Sequence, residues 1–479
     1  MRHLQVFFKG GIHVFLSEAL VLPTGLLTAA FLSRKLGPDG YGLLILAATM
    51  VSWVEWSVTS LFSRTSFKFI GEREDWQPVA SVILRLHLYF SIGAAIIFWL
   101  LAAPLATLMN EPVLAKYLNI FAWEIPFFCL AKGYRNILVG IGRFSQRALG
   151  SAVFWIARLI FIVILVELGL SVTGAILGIM CATFLEFLLT RHLLGLKLFL
   201  PSDFRAKNLW HYSIPLFLSA TSRRIYQRLD LFALKSLGAT AAQAGFYGAA
   251  QNLLFISGIF LMSFAPLLLS TLSKLLSGGN EANAKKLARN AIRLVIGLLP
   301  LCGLFAGSVT KIVALIYGKQ FAPSSPLFTI LVFGEIGAIL ISVTTAILTA
   351  LGRPRWTFIL NGALVVAAMI GYWLVIPRFG SIGAALVTSI FSMLGGIGGI
   401  FLVYFRWKIL PSIKTILRSC LICAGIYAAA IYWPATGIWL FVKLSLLTLA
   451  IPVVFLMLGE FDALELRKAR QYLSSTKNF

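Results

Sequence analysis

Acidic residues are scarce in this 479-residue chain, where 17 Asp and Glu stand against 41 Lys and Arg. Charged residues of both signs make up only 12% of the sequence, while 59% of the residues are apolar and the mean hydropathy is +0.91. Soluble globular domains carry about twice as much charge, near 25%. The composition therefore excludes a soluble protein and a nucleic-acid-binding domain. It predicts an all-α polytopic membrane protein.

Clusters of metal-ligating or catalytic residues are also lacking. All five cysteines lie in apolar runs, and the CxxC of Cys420 and Cys423 falls inside a predicted helix without other ligands nearby. Inert thiols are the expected reading of such a pattern. The five histidines form no group along the chain. No cofactor, metal site or catalytic residue is predicted, and the short outer loops disfavour a membrane-embedded glycan polymerase or ligase.

Apolar segments of about twenty residues recur with short gaps, and each is long enough to cross a bilayer. They predict fourteen transmembrane helices, at about 10–33, 41–62, 79–101, 113–140, 149–167, 172–195, 209–236, 245–272, 288–317, 325–350, 356–376, 381–405, 412–433 and 437–458.

The distribution of Lys and Arg between these spans predicts the orientation. With the N-terminus in the cytoplasm, 25 of the 41 basic residues lie in inner segments or at inner span ends, 6 lie in outer loops or at outer span ends, and 10 lie inside the spans. Loops rich in Lys and Arg alternate with loops poor in them along the whole chain. Because both ends fall on the basic side, the number of spans must be even. Both termini are therefore predicted to be cytoplasmic, and the net charge of +24 suits the anionic inner surface of a plasma membrane.

The two halves of the sequence resemble each other at a nearly constant offset of about 200 to 210 residues. Tyr41-Gly42 is echoed by Tyr247-Gly248, for example, and Gly142-Arg143 by Gly352-Arg353. Two parallel six-helix lobes are the predicted result, with a substrate site between them. The predicted parts are an N-lobe (1–205), a C-lobe (206–411), two further helices (412–459) and a cytoplasmic tail (460–479).

Cations inside the predicted spans are the main functional signal. A charged side chain at membrane depth costs about 2.5–3.5 kcal/mol on insertion scales, so these cations need a cavity or a partner. The stretch 214–235 alone carries three arginines against Asp230. Interhelical salt bridges are one reading, and a cavity that receives an anion is the other. The candidate substrate-binding residues are Lys132, Arg135, Arg158, Arg223, Arg224, Tyr226, Arg228, Gln251 and Asn252.

Carboxylates inside the spans also have two readings. They pair with the arginines, or they bind a coupling H⁺ or Na⁺, because a desolvated carboxyl group exchanges protons more readily near neutral pH. The candidates for ion coupling are Glu18, Glu124 and Asp230.

Several segments resemble the polysaccharide exporter branch of the multidrug/oligosaccharidyl-lipid/polysaccharide (MOP) superfamily. They are LSRKLGPDGYG (32–42), RIYQRLD (224–230), LKSLGATAAQAGFYG (234–248), ALIYGKQFAPSSPLFTIL (314–331), ALGRPRW (350–356) and IPRFGSIGAALVTSI (376–390). The resemblance covers nearly the whole chain. It implies a Wzx-type flippase that moves undecaprenyl-pyrophosphate-linked oligosaccharide to the outer leaflet of a bacterial plasma membrane by alternating access.

The same resemblance implies a partnership with membrane lipids and with a polysaccharide polymerase and glycosyltransferases. A MATE-type drug or metabolite antiporter and a lipid II flippase are the alternatives within the superfamily. Cationic drugs favour an acidic cavity, whereas the stretch 214–235 is net positive. A membrane scaffold is the remaining alternative, and it has no need of arginines inside its spans.

The predicted topology can be checked by labelling single cysteines in intact cells. A cysteine at Thr240 should react with an impermeant maleimide added outside, and one at Asn280 should react only after the membrane is opened. Reaction in the reverse order would contradict the orientation.

Overall fold

The computed structural model describes residues 17–71, 75–196, 199–201 and 229–460, and these residues contain helices and no strand. Fifteen α-helices are described: α1 Val21–Gly71, α2 Gln77–Leu108, α3 Pro112–Phe121, α4 Glu124–Gly140, α5 Phe144–Leu165, α6 Ser171–Leu194, α7 Leu229–Ser236, α8 Ala241–Leu253, α9 Phe255–Ser277, α10 Glu281–Gly297, α11 Leu299–Ile316, α12 Ser324–Ala350, α13 Pro354–Trp407, α14 Ile413–Tyr432 and α15 Ile438–Met457.

Eight helices of the described residues are long and apolar enough to cross a membrane, and the bent pair α3–α4 makes nine if it counts as one span. Three of these helical segments are 46, 51 and 53 residues long. A single crossing needs about 20 residues, so each of the three is long enough for two. Predicted span 7 lies largely outside the described residues, and the count of fourteen stays a prediction.

Glycines break the three longest segments at the places where the sequence predicts loops. The backbone leaves the helical region at Gly37 (φ 68°) in α1 and at Gly380 (φ 53°) in α13. Between α5 and α6, a π-helical turn holds Gly169 at φ 87°. These positive φ angles are costly for residues with a Cβ atom, so glycine marks each break.

Small residues let the paired helices approach closely. A Cβ atom at Gly174 would lie 2.7 Å from the carbonyl oxygen of Leu165, and one at Gly178 would lie 2.7 Å from the backbone nitrogen of Ile162. Helices α5 and α6 therefore run antiparallel in backbone contact. Since lipid tails give no hydrophobic driving force between helices, such close packing is the main source of attraction.

The chain divides into two compact units, Met1–Gly248 with Ile316–Gln320, and Ala249–Leu315 with Phe321–Phe479. The predicted lobe boundaries come from the sequence repeat and not from spatial contacts. This division does not test them, so they stay a prediction. The first unit includes residues 229–248, which we call the α7–α8 hairpin, although they belong to the second half of the sequence.

The α7–α8 hairpin is fixed within the first unit by polar contacts. Lys235, only 2% exposed, places its Nζ 2.7 Å from Oε1 of Glu111 and donates a hydrogen bond to the carbonyl of Ala239. Helix α8 starts with a capping box, in which Thr240 and Gln243 each bind the backbone N–H of the other. These contacts explain why a segment from the second half of the sequence packs in the first unit.

Close backbone contact supports the same packing. A Cβ atom at Gly42 would overlap the carbonyl oxygen of Ala241, and one at Gly245 would overlap the carbonyl oxygen of Pro38. Both glycines are therefore required where α8 crosses the break in α1.

In the second unit, α14 and α15 are fastened to α10 and α11. Gly303 and Gly307 of α11 face the backbone of α14, where Cβ atoms would lie 2.7 Å from the Cys423 carbonyl and 2.8 Å from the Tyr427 carbonyl. The apolar cluster around them includes Leu304 and Phe455. The outward surface is also apolar: Phe358 and Trp373 of α13 are 69% and 67% exposed, as expected of side chains that meet lipid.

Glu460, just beyond α15, joins three helices. Its carboxylate accepts hydrogen bonds from Thr415 (2.6 Å), Arg293 (2.7 Å) and Arg418 (2.9 Å). Burial raises the pKa of the Glu460 carboxyl, but these hydrogen bonds outweigh burial and hold the pKa below its usual value. The lowered pKa means that this anchor is present above the pKa of an unfolded Glu and is lost as the pH falls through the folded value.

Replacement of Gly245 should test the packing of the α7–α8 hairpin. We expect Gly245→Ala to lower the apparent melting temperature of the purified protein, because the new methyl group must displace the backbone at Pro38. Gly93→Ala is the matched control: it lies in α2 with nothing within 4 Å of the added carbon. Alanine favours helix over glycine by roughly 0.8–1.0 kcal/mol, so the control should be neutral or stabilising. Equal melting temperatures for Gly245→Ala and the wild type would contradict this packing.

Candidate functional site

Helices α4, α5 and α6 bring a group of charged side chains together inside the first unit. Lys132 and Arg135 lie on one face of α4, one turn apart, while Arg147 lies on α5 and Glu186 on α6. Glu18 joins them from the residues just before α1. We call these five residues the basic cluster.

Two ion pairs organise the basic cluster. Nε of Arg135 lies 3.0 Å from Oε1 of Glu186, and Nη2 of Arg147 lies 2.8 Å from Oε1 of Glu18. Ser151 links the pairs, because its hydroxyl accepts from Arg135 (3.3 Å) and donates to Glu18 (3.3 Å). The salt-bridge reading of the sequence thus accounts for Arg135 and Glu18 in the structure.

Lys132 is the cation of the basic cluster that takes part in neither ion pair. Three cations of the cluster face two carboxylates, and Lys132 has no ion pair or hydrogen bond within the described part of the chain. Its charged neighbours are Arg135, Arg147, Glu18 and Glu186, with Arg135 exerting the strongest effect. A local excess of one positive charge in a desolvated setting is a favourable environment for an anion.

A second group of charged side chains is mainly acidic. Glu55 of α1 and Glu124, the first residue of α4, are 6% and 3% exposed, and their carboxyl groups interact electrostatically. The Thr183 hydroxyl of α6 donates to Oε1 of Glu124 at 2.6 Å. We call Glu55 and Glu124 the carboxyl pair.

Arg158 of α5 is the cation of the described residues that interacts electrostatically with the carboxyl pair. Electrostatic interactions link its guanidinium to both Glu55 and Glu124, and the guanidinium carbon lies 5.6 Å from the centre of the Trp155 ring. The structure therefore places Arg158 with the acids and not in the basic cluster with Lys132 and Arg135. The two groups are about 12 Å apart along α4, from the rise of 1.5 Å per residue between Glu124 and Lys132.

The other predicted site residues lie elsewhere. Asp230 is 3% exposed and accepts hydrogen bonds from the Tyr247 hydroxyl (2.7 Å) and the backbone N–H of Leu231 (2.8 Å). Gln251 and Asn252 belong to the second unit. The predictions for Arg223, Arg224, Tyr226 and Arg228 fall outside the described residues.

The sequence alone gave too little weight to four residues of these groups. Arg147 precedes the predicted span 149–167 by two residues, whereas α5 begins at Phe144. Glu55 and Glu186 lie in the predicted spans 41–62 and 172–195 but are not among the predicted site residues. Thr183 carries no signal in the sequence, since hydroxyl side chains are common in transmembrane helices.

Comparisons with known proteins show the family to which this chain belongs. A family model described as "Polysaccharide biosynthesis protein" matches residues 31–326, which is more than half of the chain. This chain belongs to that family. The curated capsular polysaccharide biosynthesis protein CapF of Staphylococcus aureus is 23% identical over 320 residues, which are 65% of this chain and 78% of CapF. The predicted resemblance to polysaccharide exporters is confirmed.

Solved structures identify the fold of this polysaccharide biosynthesis protein. The lipid II flippase MurJ in an inward closed conformation superposes with a TM-score of 0.69 at 18% identity, over 94% of this chain and 98% of MurJ. An inward-facing MATE family multidrug resistance transporter of the MOP superfamily gives a TM-score of 0.66 at 15% identity, over 85% and 96%. The predicted MOP-like fold is confirmed, and the apolar helices agree with a multi-pass membrane protein.

The Arg135–Glu186 pair can be tested by a double-mutant cycle. Removal of one partner of a buried ion pair costs about 3–5 kcal/mol, because the other charge is left uncompensated. We therefore expect Arg135→Met and Glu186→Met each to lower the melting temperature of the purified protein, and the double variant to regain most of the loss. Independent, additive losses would contradict the pairing.

Proposed function

We propose that this transporter is a flippase that moves undecaprenyl-pyrophosphate-linked oligosaccharide from the inner to the outer leaflet of a bacterial plasma membrane. The observation that carries the proposal is the positive charge of Lys132, which has no ion pair among the described residues. A pyrophosphate group carries the anionic charge that such a site requires, and cations bind it by charge-assisted hydrogen bonds.

Family membership supports the class of substrate. Polysaccharide biosynthesis needs sugar units to cross the membrane while they are attached to a lipid carrier, and a protein whose described residues form membrane-length apolar helices suits that task. The chain then acts as a transporter and not as an enzyme. Its partners are lipid-linked oligosaccharide, membrane lipids, and the polymerase and glycosyltransferases that make and use the substrate.

The three arginines of the segment RRIYQR (223–228) are further anion-binding residues that we propose from the sequence alone. The planar guanidinium group of Arg can donate two hydrogen bonds to the oxygens of one phosphate group, and it stays charged when water is removed. Tyr226, Gln251 and Asn252 are proposed to contact the sugars through hydroxyl, amide and aromatic groups. Both termini are proposed to lie in the cytoplasm, as the distribution of basic residues predicts.

Two relatives within the superfamily provide the alternatives. A drug antiporter would bind organic cations, and the net positive basic cluster opposes that reading. A lipid II flippase moves a substrate with the same pyrophosphate linkage, so it shares the anion site and differs in the sugar.

Export should depend on Lys132, Arg224 and Arg228. In a strain that lacks this protein, we expect Lys132→Ala, Arg224→Ala and Arg228→Ala to restore much less surface glycan than the wild type. A hydrogen bond to a charged group is worth about 1.5–3 kcal/mol, so each loss should be about tenfold or more. Surface glycan is measured by immunoblot or lectin binding, with membrane levels of each variant checked in parallel.

Lys311→Ala is the control, because Lys311 is an exposed cation of α11 outside the basic cluster. It should restore wild-type glycan. Wild-type export by all three site variants would refute the cationic site. Failure of the wild-type chain to restore any surface glycan, combined with resistance to a cationic dye, would favour the antiporter.

A further inference from the structure

Four cations of the second unit lie along two neighbouring helices. They are Arg289 and Arg293, one turn apart on α10, and Lys414 and Arg418, one turn apart on α14. We call these four residues the α10–α14 basic site. Arg293 and Arg418 both donate to the carboxylate of Glu460, at 2.7 and 2.9 Å. The two helices therefore meet at the level of Glu460.

Helices α10 and α11 form one continuous segment that runs parallel to α14. Beyond the Glu460 junction, Gly307 of α11 faces Tyr427 of α14, so the residue numbers rise in the same direction on both. Arg289 and Lys414 each lie one turn before the arginines that bind Glu460. They are therefore at the same level of the two helices, on the side of the predicted inner membrane surface.

Positive charge is in excess at the α10–α14 basic site. Two ion pairs join Arg293 and Arg418 to one carboxylate, that of Glu460. The other two cations, Arg289 and Lys414, are exposed and form no ion pair or hydrogen bond among the described residues. Like charges close together repel each other, so a negatively charged ligand would relieve the repulsion.

The start of α14 adds hydrogen-bond donors to the site. The N-cap residue Ser412 makes no side-chain hydrogen bond to the first turn, in which Lys414 lies. The first N–H groups of a helix have no partner within it, and the helix dipole favours negative charge there. A phosphate group at this place would meet backbone donors as well as the ammonium group of Lys414.

An apolar surface continues directly from the basic site. Leu417 and Leu421 follow Lys414 by three and seven residues on the same face of α14, and they are 59% and 67% exposed. Leu294 of α10 is 45% exposed and comes directly after Arg293. Acyl chains pack against such a surface, whereas a small soluble anion gains nothing from it. The order of cations and leucines therefore matches a phospholipid, with its head group at the membrane surface.

We propose that the α10–α14 basic site binds the phosphate head group of an anionic phospholipid of the surrounding membrane. The phosphate contacts Arg289, Lys414 and the first turn of α14, and the acyl chains lie along the leucines. Bound lipid offsets the excess positive charge and so stabilises the junction of α10, α14 and α15. The site shares no residue with the basic cluster of the first unit, so it is independent of the proposed substrate.

Native mass spectrometry of the purified full-length protein tests lipid binding at this site. The probe is phosphatidylglycerol, and zwitterionic phosphatidylethanolamine is the comparison. We expect the wild type to bind phosphatidylglycerol more tightly. Arg289→Gln/Lys414→Gln should bind phosphatidylglycerol about 20- to 30-fold more weakly than the wild type, because each cation near an anionic lipid contributes about fivefold to the affinity.

Lys311→Gln/Arg378→Gln is the matched control, because it removes two exposed cations of the same unit outside the site. Lys311 lies about 27 Å from Arg293 along the α10–α11 segment, from a rise of 1.5 Å per residue. The control should bind phosphatidylglycerol as the wild type does. Equal losses of affinity in the two double variants would overturn the proposal, as would equal affinity of the wild type for the two phospholipids.

Thermal unfolding in detergent tests whether bound lipid stabilises the junction. Phosphatidylglycerol should raise the melting temperature of the wild type and of the control, with little effect on Arg289→Gln/Lys414→Gln. A rise of the same size in that variant would contradict the site. An equal rise with inorganic phosphate would assign the site to soluble anions and overturn the lipid proposal.

Gel filtration verifies that both double variants are folded, as expected of substitutions at exposed residues that leave the Glu460 junction intact. If Arg289→Gln/Lys414→Gln aggregates, the single variant Lys414→Gln takes its place, with an expected loss of affinity of about fivefold. Wild-type affinity in that folded single variant would overturn the proposal.

Discussion

Compensation of charge between helices is the constraint on which the first unit depends. Arg135 and Glu186 come from α4 and α6, and Arg147 and Glu18 come from α5 and the residues before α1. None of these helices can satisfy its own charges in a lipid environment. The assembled unit is therefore more than a packing of apolar surfaces, because each helix supplies a charge that another helix needs.

Glycine packing makes this compensation geometrically feasible. A Cβ atom at Gly150 of α5 would lie 2.8 Å from a side-chain carbon of Thr190 on α6, and the same contact brings α5 near Glu186. Bulky residues at such positions would separate the helices and place the charged groups out of reach. The pattern of small residues and the pattern of charges are thus parts of one arrangement.

Two groups of opposite character share the same helices. The basic cluster has one cation more than its carboxylates, and the carboxyl pair has one carboxyl more than its cation. Within the described residues, the two groups therefore carry charge imbalances of opposite sign.

The sequence by itself determined the class of the protein and much of its helical organisation. Apolar length and glycine are local signals, so the breaks at Gly37, Gly169 and Gly380 fell where loops were expected. Which charges meet was decided only by tertiary structure, because hydrophobic periodicity does not tell which helix a charged face will contact. The sequence therefore groups Arg158 with Lys132, whereas the structure shows its electrostatic interactions with Glu55 and Glu124. Residues 229–248 likewise come from the second half of the sequence and belong to the first compact unit.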